Sequence, residues 1–149
     1  MRVEEVMRHE AVTCAADATL IEAGRTMARV GCGMLPVVDA ARRVIGVLTD
    51  RDICCALTGE DRDPGALRAR GVMTRDVVSC RREDDVSSAL ATMRLCRVRR
   101  LPVIDRDGHL EGVLSLDEIV LRAGVGGPSA EEIVATLRSL SEHAVPACR

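Results

Sequence analysis

Two stretches of the chain place a hydroxyl and a carboxylate three positions apart, directly after an apolar run. The pairs are Thr49 with Asp52 and Ser115 with Glu118. Threonine and serine are good helix N-caps, so each pair is expected at a strand-to-helix junction with the acid in the first helical turn. Backbone N–H groups at such a junction attract phosphate groups. Pure helix capping by Thr49 and Ser115 is the alternative, and it is compatible with a ligand role.

These pairs belong to a longer stretch that occurs twice, without a gap, at an offset of 66 residues. The first copy reads MLPVVDAARRVIGVLTDRDI over residues 34–53, and the second reads RLPVIDRDGHLEGVLSLDEI over residues 100–119. Extending the alignment back to Val6 and Val72 gives 15 identities in 48 paired positions. An internal repeat of this kind predicts two similar structural units.

Each copy has the apolar pattern and turn signals of a β-α-β-β-α unit. In the first copy we expect a strand at 12–14, a helix at 20–30 capped by Asp17 or Thr19, strands at 35–38 and 44–48, and a helix at 50–57. In the second we expect a strand at 77–80, a helix at 86–96, strands at 101–104 and 110–114, and a helix at 116–123. Neither half is large enough to bury a good core alone. We therefore expect an α/β (α+β) fold of two halves packed face to face about a pseudo-twofold axis.

The domain boundaries follow from this repeat. Residues 1–58, with a short helical lead-in at 1–8, form repeat 1, and residues 71–124 form repeat 2. The polar segment 59–70, broken by Pro64 and Gly65, is the predicted linker. Residues 125–149 hold a last helix, which a capping box of Ser129 and Glu132 opens and which should reach about His143. Its apolar face is predicted to pack on its own domain or on a twin subunit, with docking of an effector as the alternative; the face comprises Ile133, Leu137 and Leu140, with Val134 beside them.

Composition excludes several classes of function. The chain has 149 residues, 47% of them hydrophobic, a net charge of −2 and no Phe, Tyr or Trp. Neither a basic surface nor aromatic side chains are present for nucleic acid, so no nucleic-acid partner is expected. No apolar run has membrane-spanning length, and the N-terminus lacks the apolar core of a signal peptide. We therefore expect no membrane partner and a cytoplasmic location.

No residues form a recognisable catalytic or metal-binding pattern. There is no nucleophile elbow, no phosphate-binding Walker loop and no metal-ligand cluster, and His9, His109 and His143 are scattered. The seven cysteines include no C-x-x-C pair, and Cys14 and Cys80 occupy the same repeat position, which is typical of core packing. We therefore expect neither catalytic residues nor a metal or resident cofactor.

The paired LPVVD…GVLTDRDI and LPVID…GVLSLDEI, with VM opening each copy, resemble tandem cystathionine-β-synthase (CBS) domains, also called a Bateman module. The resemblance covers residues 6–123. It implies a stand-alone regulatory or signalling module that binds an adenine nucleotide (AMP, ADP or ATP) or a related adenosyl ligand in clefts between the repeats. It also implies a homodimer that signals to an unknown effector protein through conformation or oligomerisation. A structural dimerisation module with vestigial clefts is the alternative.

The family's ligand motif is a glycine, an apolar residue, any residue, threonine or serine, two further residues and an aspartate. The motif is complete from Gly46 to Asp52, while the second copy, from Gly112, has glutamate in the last position. The resemblance implies two sites, each shared between the copies. Site one comprises Thr49, Asp52, Val77, Val78, Arg99, Arg100 and Pro102. Site two comprises Val12, Thr13, Gly33, Met34, Pro36, Ser115 and Glu118.

The two sites are not equivalent in charge. Arg99 and Arg100 align with Gly33 and Met34, so only site one has guanidinium groups for a phosphate. Asp117 adds negative charge at site two. Site one is therefore predicted to bind more tightly, and a solvated face is the alternative role for the arginines.

The apolar content of the four main helices, with no separate layer to cover them, predicts that they form a homodimer contact. The expected faces are Leu20/Ala23/Met27, Ile53/Leu57, Ala89/Leu90/Met93 and Ile119/Val120.

Overall fold

The computed structural model describes residues 1–58, 63, 65–124 and 126–142. Part of the predicted linker, and the C-terminal tail from His143 onward, lie outside these residues. The chain forms two compact units that are not continuous in sequence. The first-copy unit contains residues 12–77 and 108–110, and the second-copy unit contains residues 1–11 and 78–107 together with the chain from 111 onward.

The helices and strands follow the predicted order. The strands are β1 (Cys14–Ala15), β2 (Met34–Val38), β3 (Val44–Thr49), β4 (Arg100–Ile104) and β5 (Leu110–Ser115). The helices are α1 (Leu20–Val30), α2 (Asp50–Leu57), α3 (Val86–Cys96), α4 (Leu116–Leu121) and α5 (Ala130–Ser141). Helices α1, α2 and α3 have the predicted bounds, whereas α4 ends two residues earlier than expected. The lead-in is a single 3-10 turn, Val3–Glu5.

In the first-copy unit, a three-stranded sheet packs against α1 and α2. Strand β1 is parallel to β2, and β2 is antiparallel to β3, with Leu35 opposite Leu48. Thr19 caps α1 reciprocally with Glu22. Gly31 ends α1 at φ +65°, a left-handed conformation that glycine adopts without a Cβ penalty. The core of this unit is apolar and comprises Cys14, Leu20, Ala23, Met27, Leu35, Val37, Leu48, Ile53, Ala69 and Met73.

In the second-copy unit, a two-stranded sheet of β4 and β5 packs with α3, α4 and α5. The strand predicted at 77–80 is reduced to one parallel bridge between Cys80 and Val103. The residues after Cys80 form a turn, in which the Arg81 backbone N–H donates to Asp84 Oδ2 at 2.8 Å and the Asp84 N–H donates to the Arg81 carbonyl at 3.1 Å. The largest fully buried side chains of this unit include Leu90, Met93 and Leu101.

The segment that precedes each copy in the sequence pairs with the last strand of the other copy. Residue 8 thus pairs in the second-copy unit, and residue 74 pairs in the first-copy unit. Arg8 and Val113 exchange backbone hydrogen bonds of 2.9 and 3.0 Å, and Thr74 and Val47 exchange two of 2.9 Å. The motif glycine beside each pairing lets the backbones approach. A Cβ on Gly112 would overlap the backbone oxygen of Arg8. The lead-in of the chain therefore belongs structurally to the unit of the second copy.

Helix α5 packs back on its own unit, against α3, as one of the two predicted arrangements requires. Ser129 and Glu132 form the expected capping box, with the Ser129 N–H donating to Glu132 Oε2 at 2.9 Å. The predicted apolar face is wrong at two positions, because Leu137 and Val134 are 39% and 48% exposed, whereas Thr136 is fully buried. Thr136 is tolerated inside because its hydroxyl donates to the Glu132 carbonyl at 2.8 Å.

The helix faces predicted for the dimer contact are wrong for most of their residues. Within each unit, these side chains face the core, where their relative exposure is at most 7%; they are Leu20, Ala23, Met27, Ile53, Ala89, Leu90, Met93 and Ile119. Only Leu57 and Val120 of the predicted set are exposed. The apolar stripes therefore cover their own units, and the most exposed large apolar side chains among the described residues are Leu95 (86%) and Leu121 (83%).

Two further features bear on the class of protein. Among the helices that the structure describes, none combines the length and the apolar character that crossing a bilayer requires. No disulfide joins the six cysteines of the described residues.

Candidate functional site

The first hydroxyl–carboxylate pair lies at the junction of β3 and α2, as predicted. Thr49 Oγ1 accepts from the Asp52 N–H at 3.2 Å, and Asp52 Oδ2 accepts from the Thr49 N–H at 2.9 Å and from its hydroxyl at 2.7 Å. Both side chains are half-buried. Both of these contacts use Oδ2 of Asp52. Oδ1 accepts no hydrogen bond from any residue that the structure describes. The carboxylate is thus held at a helix N-terminus by its contacts with Thr49, with one oxygen available.

The second pair lies at the junction of β5 and α4, and its carboxylate has a different environment. The Ser115 hydroxyl donates to Glu118 Oε2, and the Glu118 N–H donates to Ser115 Oγ at 3.3 Å. The guanidinium of Arg8 donates from Nε to Glu118 Oε1. Both carboxylate oxygens of Glu118 are therefore engaged, although its side chain is still 17% exposed.

Sequence reasoning missed Arg8. The repeat places Thr74 at the equivalent position, so the difference between the copies was visible, but nothing in the motif links residue 8 to residue 118. The link depends on the antiparallel pairing of Arg8 with Val113, a contact between residues far apart in the chain.

The two arginines predicted to bind phosphate lie at the start of β4. The Arg99 carbonyl accepts from the Leu116 N–H at 2.9 Å, and the Arg99 side chain is exposed. Arg100 Nη2 lies 3.9 Å from Asp117 Oδ2, and the Asp117 side chain is 82% exposed. Exposed pairs at this separation contribute little free energy, so Arg100 stays available to an anion.

The remaining predicted site residues range from buried to exposed. In β2, Met34 lies opposite Thr49 and both Met34 and Pro36 are buried. Pro102 is buried in β4, while Val77, Val78 and Thr13 are half-buried and Val12 is 39% exposed. Each predicted site draws residues from both units, and its assembly stays a prediction.

Two buried cysteine thiols, one in the core of each unit, have raised pKa values. Burial, followed by the nearby Asp84 charge, raises the pKa of the Cys80 thiol to about 12. Burial, with the Glu22 charge, also raises the pKa of Cys14. These thiols remain neutral at physiological pH, which fits core packing rather than reactivity.

Two similar units each end a strand in a hydroxyl–carboxylate pair at a helix N-terminus, so the structure is a tandem repeat of one motif. The family model described as CBS domain matches residues 3–59 and 69–123, and the chain therefore belongs to the CBS domain family. The resemblance found in the sequence is confirmed.

Curated relatives include both short proteins and parts of larger enzymes. An uncharacterised protein of Methanopyrus kandleri is 28% identical over 79% of this chain and 60% of its own length. The CBS domain-containing protein YhcV of Bacillus subtilis is 30% identical over 80% of this chain and 83% of its own. Inosine-5′-monophosphate dehydrogenase of Methanocaldococcus jannaschii is 32% identical over 81% of this chain. The chain spans only 23% of that enzyme's length.

Solved structures share the fold. A conserved CBS domain protein, TA0289 of Thermoplasma acidophilum, has a TM-score of 0.81 at 23% identity and covers 95% of this chain and 77% of its own. The CBS domain pair of protein MJ0100, solved with 5′-methylthioadenosine and S-adenosyl-L-methionine, has a TM-score of 0.74 at 21% identity over 82% of this chain and 94% of its own. The cytosolic domain of the Mg²⁺ channel MgtE, solved with ATP, has a TM-score of 0.69 at 26% identity over 81% of this chain and 48% of its own.

Proposed function

We propose that this CBS pair is a regulatory module, without catalytic activity of its own, that binds an adenosine-containing ligand such as AMP, ADP or ATP. The observation that carries the proposal is the Asp52 carboxylate, which Thr49 holds in place with Oδ1 left open. The ATP complex of the related MgtE domain supports the choice of ligand class. Binding would act on an effector protein through a change in conformation or oligomeric state.

The chemistry of site one fits a ribonucleotide. An ionised carboxylate accepts hydrogen bonds only, which suits the two hydroxyl donors of a ribose. The N-terminus of α2 and the guanidinium groups of Arg99 and Arg100 would answer the phosphate charge, while Val77, Val78 and Pro102 would cover the adenine. We propose that site one is the principal site, because the residues of site two include Gly33 and Met34 where site one has arginines.

Isothermal titration calorimetry tests the proposal with AMP, ADP, ATP and S-adenosylmethionine, and with GTP as a control for base selectivity. A charge-assisted hydrogen bond contributes about 1.5–3 kcal/mol, so Asp52→Ala or Arg100→Ala should weaken the principal binding event by about ten- to hundredfold. Glu118→Ala should leave that event largely intact. Asp52→Asn is the matched control, since it keeps the shape of the side chain and removes its charge.

Three results would count against the proposal. If no adenosine ligand binds, the chain is not a nucleotide sensor. If Glu118→Ala abolishes binding and Asp52→Ala does not, the two sites are assigned the wrong way round. If none of the variants changes binding, the motif residues do not form the site.

A structural dimerisation module is the second candidate, and the exposed leucines of the second-copy unit favour it. Leu95 on α3 and Leu121 on α4 are 86% and 83% exposed, which suits a contact with a second copy of the chain. Sedimentation at micromolar concentration should show a dimer that Leu121→Glu weakens. Dimerisation without any nucleotide binding would select this second candidate, and a monomer at that concentration would remove it.

A further inference from the structure

The two copies of the motif differ in what their carboxylates already bind. In the first-copy unit, Asp52 uses only Oδ2 for the contacts with Thr49. In the second-copy unit, Ser115 occupies Oε2 of Glu118 and Arg8 occupies Oε1. A ribose diol that approached Glu118 would meet a carboxylate with a donor already on each oxygen.

The position of Arg8 is fixed by its backbone rather than by its side chain. Its N–H and carbonyl form two hydrogen bonds with Val113, of 2.9 and 3.0 Å, and Gly112 leaves space for that approach. The Arg8 side chain is 74% exposed, whereas the Glu118 side chain is only 17% exposed. The equivalent residue of the other copy, Thr74, is uncharged and exposed. The arginine is thus a feature of one motif only, and its side chain can be removed without removing the pairing.

We propose that Arg8 makes the second motif a poor ribose site, because its guanidinium competes with the ribose hydroxyls for the Glu118 carboxylate. This inference rests on the proposed function, since it assumes that the motif carboxylates accept the ribose diol. It assigns the weakness of site two to a donor that the chain itself supplies, in addition to the missing phosphate contacts.

The exposure of Arg8 sets the size of the effect. An exposed ion pair contributes little free energy, because water competes with each partner. Competition from Arg8 for Glu118 therefore corresponds to a change of at most about fivefold in the binding constant of the ligand. Arg8 therefore lowers the affinity of the second motif without abolishing it.

The test uses the full chain carrying Asp52→Ala, so that the first motif no longer dominates the titration. We expect Arg8→Ala in this background to tighten AMP binding by about two- to fivefold in calorimetry. Arg82→Ala is the matched control, because Arg82 is also an exposed arginine of the second-copy unit but forms ion pairs with Glu4 and Glu111 instead of Glu118. It should leave the affinity unchanged.

A second ligand separates competition for the carboxylate from a general loss of positive charge. With 2′,3′-dideoxyadenosine monophosphate, which lacks the diol, Arg8→Ala should bring no gain. An equal gain with both ligands, an unchanged affinity for AMP, or weaker AMP binding would each overturn the inference; the last result would make Arg8 a phosphate ligand. Titration of the wild-type chain separates failure of this inference from failure of the proposed function. If only the inference fails, the wild-type chain still binds AMP. If the wild-type chain binds no adenosine ligand, the proposed function fails as well.

Discussion

Substitution of Gly112 by alanine should loosen the lead-in segment from β5. A Cβ at this position would overlap the backbone oxygen of Arg8, which has no rotamer through which to move away. The two hydrogen bonds between Arg8 and Val113 would be lost, at about 0.5–1.5 kcal/mol each. The smaller conformational entropy of the unfolded chain returns about 0.4–1 kcal/mol. We therefore expect a net destabilisation of about 1.3 kcal/mol at the middle of these ranges, and of at most about 2.6 kcal/mol.

Two other glycines serve as matched controls in urea denaturation followed by circular dichroism. Gly46→Ala should cost less, because the new Cβ would first meet the flexible Met73 Sδ, at 2.6 Å. Gly24→Ala, in α1 with nothing within 4 Å, should stabilise the chain by about 1 kcal/mol through helix propensity. If Gly112→Ala were as stable as the wild type, the pairing of the lead-in with β5 would be refuted.

Three more predictions concern the core, a thiol and the helix caps. Leu90→Ala removes a side chain that is 1% exposed and should lower the free energy of unfolding by about 2–5 kcal/mol. Leu95→Ala on the same helix should change it by less than about 0.5 kcal/mol. Equal losses of stability in thermal denaturation would contradict the assigned core. Because burial raises the pKa of Cys80 to about 12, a thiol reagent at pH 8 should modify the exposed Cys54 and Cys96 before Cys80. Mass spectrometry that showed early modification of Cys80 would oppose this. Hydrogen bonds from the Thr19 and Ser129 backbone lower the pKa of Glu22 and Glu132 below 4.5, so their contribution to stability is present above that pH and is lost on further acidification. Glu132→Gln should reduce this acid sensitivity in circular dichroism, and an unchanged acid response would speak against the contribution of the cap.

Features set by neighbours in the chain could be predicted from the sequence. The junction pairs and the capping box of Ser129 with Glu132 depend on residues three positions apart, so local chemistry specifies them. The repeat itself specified the order of elements in both copies. The family follows from the same residues.

Features set by long-range packing could not be predicted. Helical spacing from Ile133 allows either Thr136 or Leu137 on the inner face, and hydrophobicity alone favoured the leucine. Packing on α3 selects Thr136, whose hydroxyl is satisfied within its own helix. In the same way, apolar periodicity shows that a helix has a covered face but not whether its own unit or a second subunit covers it. The contact of Arg8 with Glu118 needs the pairing of residues 8 and 113, which the motif does not encode.

The central claim is that the first motif binds the ribose of an adenosine ligand through Asp52. A crystal structure of the chain grown with AMP tests it most directly, through the distances from the ribose hydroxyls to the two motif carboxylates. We predict a ribose hydroxyl within hydrogen-bonding distance of Asp52 Oδ1, with the Thr49 contacts to Oδ2 retained. AMP bound with its ribose at Glu118 and none at Asp52, or bound away from both carboxylates, would contradict the claim.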